Sequence, residues 1–78
     1  MSLMIREIAD KITIDPKIHG GKPVIKGTRV PVDLILGKIA GGMTVDEVAA
    51  EYELRKLDVR AALRYAQEVI EQEVLIYA

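Results

Sequence analysis

The apolar positions of this chain change their spacing near Pro31, and the change divides an extended N-terminal part from a helical remainder. In "KITID", Ile12 and Ile14 alternate with polar neighbours at period two, which predicts a short strand ended by Asp15-Pro16. The preceding "IREIA" fits a strand or a helical turn equally. Pro23-Val24-Ile25 and Thr28-Arg29-Val30 predict two short arms joined at Lys26-Gly27, where glycine takes a positive φ without strain. Pro23 and Pro31 keep those arms short and near a sheet edge.

From Pro31 the spacing becomes helical. Val32, Ile35, Leu36, Ile39 and Ala40 predict a first helix over 31–41, with Pro31 at its first position and Gly41-Gly42 stopping it. "TVDE" is a capping box, Thr44 with Glu47, and opens a second helix over 44–52 whose inner face is Val45, Val48, Ala49 and Tyr52. After a break at "ELRKL", Asp58 suits an N-cap. Val59, Ala62, Leu63, Ala66, Ile70, Val74 and Tyr77 then trace the stripe of a third helix over 58–73, and the final "VLIYA" fits a strand as well. The expected fold is α+β and mainly α: a short N-terminal β-hairpin element over 12–30 packed on a three-helix, homeodomain-like helix-turn-helix unit.

A length of 78 residues allows one domain, close to the size at which a single core is marginal. With no Cys and one His, neither a disulfide framework nor a conventional zinc site reinforces it, so no cofactor is expected and self-association is. No apolar run approaches the length of a membrane span, and the chain reads as soluble and cytoplasmic. Met1 to Leu3, ahead of a second Met, read as a non-native leader.

Charge enters through its distribution. Residues 1–43 hold seven Lys/Arg against four Asp/Glu, and residues 44–78 hold four against eight. Those last four are concentrated. If Ala49 takes the small fifth position of a helix-turn-helix unit, the buried fourth, eighth, tenth, fifteenth and eighteenth places are Val48, Tyr52, Leu54, Val59 and Ala62. The exposed places that face a DNA groove become Arg55, Lys56, Arg60 and Arg64, all basic, with Thr44 at the start of the first of the two helices. The ninth place, often Gly, is Glu53. Beyond Arg64 the same face turns to Gln67, Glu68 and Glu71. A basic pair at this spacing also occurs on solvated helices that bind no nucleic acid.

The remaining polar residues favour structure over chemistry. Gly20-Gly21-Lys22 lacks the P-loop spacing, and Lys26-Gly27-Thr28-Arg29 reads as a hairpin tip with solvated cations. His19 has no nucleophile or carboxylate cluster to orient it and reads as an uncommitted surface residue. No nucleophile–base pair or metal constellation supports an enzyme.

From Ile12 to Ala66 the chain resembles the domain of unknown function family 433, often described as VapB-type antitoxin helix-turn-helix domains. The likeness is carried by "GGKPVIKGTRVPV", "DEVAAEY" and "DVRAALRYA" in order. The resemblance implies a short β element on a helix-turn-helix, binding to double-stranded DNA, and a PIN-like ribonuclease toxin as partner. On this reading Gly20, Gly21, Pro23, Gly27 and Pro31 are structural, and Lys22, Lys26 and Arg29 are candidate phosphate contacts. A homodimer is expected, built on the apolar tail at Val69, Val74, Leu75, Ile76 and Tyr77 or on the N-terminal strand. The alternative is a protein-interaction adaptor whose basic face meets an acidic partner.

Overall fold

The structure, a computed structural model, describes residues 5–77, with side-chain surroundings described as far as residue 73. Met1 to Leu3 and the side chains of the apolar tail after Glu73 therefore lie outside the described residues. Three short strands, β1 (Arg6–Ala9), β2 (Ile12–Ile14) and β3 (Val24–Ile25), form an antiparallel sheet in that order. Three helices follow: α1 (Val32–Ala40), α2 (Val45–Glu51) and α3 (Lys56–Tyr77). The fold is α+β and mainly helical, as expected.

The sheet begins earlier than the periodicity suggested. "IREIA" is strand, paired Arg6 with Ile14 and Ala9 with Ile12, with a bulge between Glu7 and Ala9. That pairing makes β2 the central strand. Both faces of its middle are covered, so Thr13 is buried beside Ile12 and the simple alternation fails there. The arms around Gly27 do meet: the Ile25 amide donates to the Val30 carbonyl, and the Val32 amide to that of Pro23. Only Val24–Ile25 of the two arms is strand.

Gly27, at φ +78°, closes this turn, and a Cβ there would meet nothing within 4 Å. Its requirement is conformational. Thr28 secures the turn, its hydroxyl donating to the Ile25 carbonyl at 2.8 Å and accepting from the Val30 amide at 3.0 Å. The preceding loop takes three successive left-handed residues, His19, Gly20 and Gly21. His19 is committed, contrary to expectation: its Nε2 lies 2.9 Å from the Arg29 carbonyl oxygen. Pro31 precedes α1 as the N-cap, with extended backbone, instead of occupying the first helical position.

Ile12 and Ile25 from the sheet, Val32 and Ile35 from α1, Val48 and Ala49 from α2, and Val59, Ala61 and Ala62 from α3 form one core. The stripe foreseen for α3 is rotated. Ala61 is 5 % exposed because the core includes it, whereas Ile70 is 60 % exposed. The helix also runs on to Tyr77, which removes the strand alternative for its last residues.

α1 and α2 end alike. After α1 the Met43 amide donates to Lys38 and the Gly42 amide to Ile39, with Gly42 at φ +111°. After α2 the Leu54 amide donates to Ala49 at 2.8 Å, and the left-handed position falls on Glu53, at φ +56°. A residue with a Cβ is strained there. We expect Glu53→Gly to raise stability by roughly 0.5–1 kcal/mol, and Gly27→Val to lower it by about 1–2 kcal/mol, both read by denaturant unfolding. Unchanged midpoints in both would remove the backbone account of these turns.

Candidate nucleic-acid interface

α2 starts as its sequence demands. The Thr44 hydroxyl accepts from the Glu47 amide at 3.1 Å while the Glu47 carboxylate accepts from the Thr44 amide at 2.8 Å. Thr44 is exposed, so its hydroxyl proton remains available to an acceptor in solution. At the far end of the turn Arg55 and Asp58 organise α3. Asp58 is not the N-cap: α3 begins at Lys56, and the Arg55 carbonyl accepts its first amides, those of Asp58 and Val59. The Asp58 carboxylate reaches back to the Arg55 amide at 3.0 Å, and its two oxygens take Nη2 and Nε of the same arginine at 3.0 and 3.2 Å.

This pairing alters the candidate face. The side-chain hydrogen bond to Arg55 is the main cause that holds the Asp58 carboxyl below its usual range, and the same contact raises the guanidinium. Arg55 is thus partly neutralised by its own turn. Lys56 leans toward Asp46, 3.7 Å away, which sets the start of α2 beside the start of α3. Arg60 and Arg64 are exposed, and neither has an ion pair among the described residues. They differ in surroundings, since Arg64 borders a pocket with Asp10 and Glu68. Arg60 is the less encumbered cation.

Arg55, Lys56, Arg60 and Arg64 therefore share the exposed start of α3, while Val48, Val59 and Ala62 beneath are wholly buried and Tyr52 and Leu54 partly so. Lys11 was not singled out from the sequence. It stands at the β1–β2 turn with φ +65°, and its charge helps to depress Asp58. No local pattern announces this, because the proximity comes from the sheet packing on α3.

The three cations of the loop before α1 lie elsewhere. Lys22 binds Asp33 at 2.9 Å and Lys26 binds Glu7 at 2.9 Å, both exposed pairs. The lysine hydrogen bond is in each case the main cause lowering the carboxyl pKa of Asp33 or Glu7. Arg29 has no ion pair among the described residues and borders an open pocket with His19 and Lys22. Gly20, Gly21, Pro23, Gly27 and Pro31 serve the turns and backbone bonds of that loop. Among the described residues no group of His, Cys, Asp or Glu is arranged to hold a metal, and no helix is long and apolar enough to cross a membrane.

Fold and face together define a small, mainly helical α+β protein whose last two helices are joined by a tight turn, with exposed cations from Arg55 to Arg64 at the start of the last one. The chain belongs to the family described as "Protein of unknown function (DUF433)", whose profile matches residues 12–66. It is 37 % identical over 57 residues to the uncharacterised protein y4eO of Sinorhizobium fredii, covering 72 % of this chain and 26 % of that protein. Among solved structures, Rv2018 from Mycobacterium tuberculosis matches with a TM-score of 0.62 and 35 % identity, over 67 % of this chain and 24 % of that one. A DUF433 member from Anabaena variabilis matches with a TM-score of 0.71 and 33 % identity, over 80 % and 62 %. The chain thus spans about a quarter of the length of y4eO and of Rv2018.

The Asp58 pairing yields a pH prediction. Its folded pKa is depressed, so its contribution to stability is complete above the ordinary carboxylate pKa, about 4, and is lost as pH falls below that value. Asp58→Asn should cost about 1 kcal/mol at neutral pH and reduce the further loss on acidification. Glu7 and Asp33, also held low, should keep some acid sensitivity in the variant. Thermal melts of both proteins at neutral and acidic pH measure this, and parallel pH profiles would deny Asp58 the role.

Proposed function

We propose that this protein binds double-stranded DNA, with α2 and α3 acting as a helix-turn-helix and the first three turns of α3 as the recognition segment. The observation that carries the reading is the state of Arg60 and Arg64. They are exposed, spaced one turn apart, and outside every ion pair among the described residues, on a helix whose start is fixed by the Arg55–Asp58 pair. Guanidinium groups so placed can take phosphate oxygens or the paired acceptors of guanine. Thr44 and Lys56, at adjacent helix starts, supply phosphate contacts at the edge of the groove. Asp10 and Glu68 beside Arg64, and Glu71 beyond, confine the contact to the start of α3.

The biological role we propose is that of a cytoplasmic antitoxin and autorepressor, acting as a homodimer with a PIN-like toxin as partner. It is supported by the family resemblance. A reading frame for a PIN-like protein beside the gene, and co-purification of its product, test this part separately from DNA binding.

The DNA reading is tested by titrating labelled duplex from the region upstream of the gene, and an unrelated duplex, at several salt concentrations. Affinity should fall steeply with salt and favour the upstream sequence. Arg60→Ala and Arg64→Ala should each cost roughly 1–3 kcal/mol where they reach bases. Contacts to phosphate alone would weaken all duplexes equally and lower the salt slope by about one per residue. Wild-type affinity in the double variant would defeat the recognition-helix assignment.

A further inference from the structure

We propose that the face of the sheet turned away from the helices carries a binding site for a small zwitterion, a free α-amino acid with a short aliphatic side chain. Ile12 and Ile25 join the helical core, whereas Thr13 and its register partner Val24 are buried apart from it, on the opposite face. A pocket of about 210 Å³ opens there. It is bounded by Thr13, by Asp15 and Ile18 of the loop after β2, by Thr28 and Arg29 of the Gly27 turn, and by Ile5.

What points to a ligand is a buried polar group left unmet. Thr13 is 6 % exposed, and its hydroxyl makes no hydrogen bond among the described residues. The Thr28 hydroxyl at the same pocket is, by contrast, engaged within its own turn. A buried hydroxyl without a partner is costly, so the group calls for one. Two opposite charges border the pocket without pairing with each other among the described residues. The Arg29 backbone is held through its carbonyl by His19, while its guanidinium has no ion pair there. Asp15 accepts the Lys17 amide on Oδ1 at 2.9 Å, and no hydrogen bond reaches its Oδ2 among the described residues. A molecule carrying both charges satisfies this set. Its carboxylate takes the guanidinium in paired hydrogen bonds, its ammonium takes the open oxygen of Asp15, and the Thr13 hydroxyl meets the polar end. Ile18 and Ile5, the latter 67 % exposed, cover a short apolar side chain. Asp15 disfavours an anion alone, and the volume lies below the roughly 300–1,000 Å³ of sites for drug-sized ligands.

None of these groups belongs to α2 or α3, so the test runs without nucleic acid and is independent of the DNA reading. Titration calorimetry of the full chain with L-valine should show saturable binding. Isovalerate, which lacks the amine, and isobutylamine, which lacks the carboxylate, should each bind at least about tenfold more weakly. Thr13→Val keeps the side-chain shape and removes the hydroxyl. Its affinity for L-valine should fall by about tenfold or more, with a melting temperature that is unchanged or higher. Asp15→Asn should weaken L-valine and isobutylamine and leave isovalerate as it was; Arg29→Gln should weaken L-valine and isovalerate and spare isobutylamine. No saturable heat from L-valine in the millimolar range, isovalerate as tight as L-valine, or wild-type affinity in Thr13→Val would each overturn the proposal.

Discussion

The four residues between α2 and α3 set the direction of the longest element, and the exposed chemistry of the molecule depends on that direction. Within them Glu53 holds a left-handed backbone so that the Leu54 amide can close on Ala49, and Asp58 then gathers the amide and guanidinium of Arg55. The strain at Glu53, about 1 kcal/mol, is of the size that one charge-assisted hydrogen bond at Asp58 offsets. The turn can therefore dispense with glycine. What the turn fixes is which side of α3 faces inward: Val59 and Ala62 fall on the core, and Arg60 and Arg64 fall outside.

The sheet follows from the shortness of the other helices. α1 has 9 residues and α2 has 7, too few to be stable without packing or to cover one face of a 22-residue partner. Ile12 and Ile25 supply the missing volume, and Ala61 is small where α3 joins that core. The loop before α1 binds the two parts. Its amides and carbonyls pair across the Gly27 turn, its Lys26 amide donates to Lys11, and Lys22 and Lys26 reach Asp33 and Glu7. Most of its conspicuous polar groups are occupied in this way, which argues for a structural role for the glycine- and proline-rich run.

Local rules made much of this legible in the residues. The capping box at Thr44, the turn at Gly27 and the buried set Val48, Val59 and Ala62 each depend on neighbours within a few positions, and each is found. So is the exposure of the four basic residues. What escaped depends on distant pairing. Thr13 is buried because β1 and β3 flank it, His19 is engaged because Arg29 folds back, and Lys11 nears Asp58 because the sheet rests on α3. Asp58 was misplaced by three positions for a related reason. An acid at the third helical position and an acid at the N-cap look alike in sequence until the arginine it binds is located.

The two halves of α3 differ in what they expose. The first three turns carry cations, while from Gln67 to Glu73 the exposed residues are acidic, polar or apolar, with no Lys or Arg. A surface of that second kind repels phosphate and suits a protein contact.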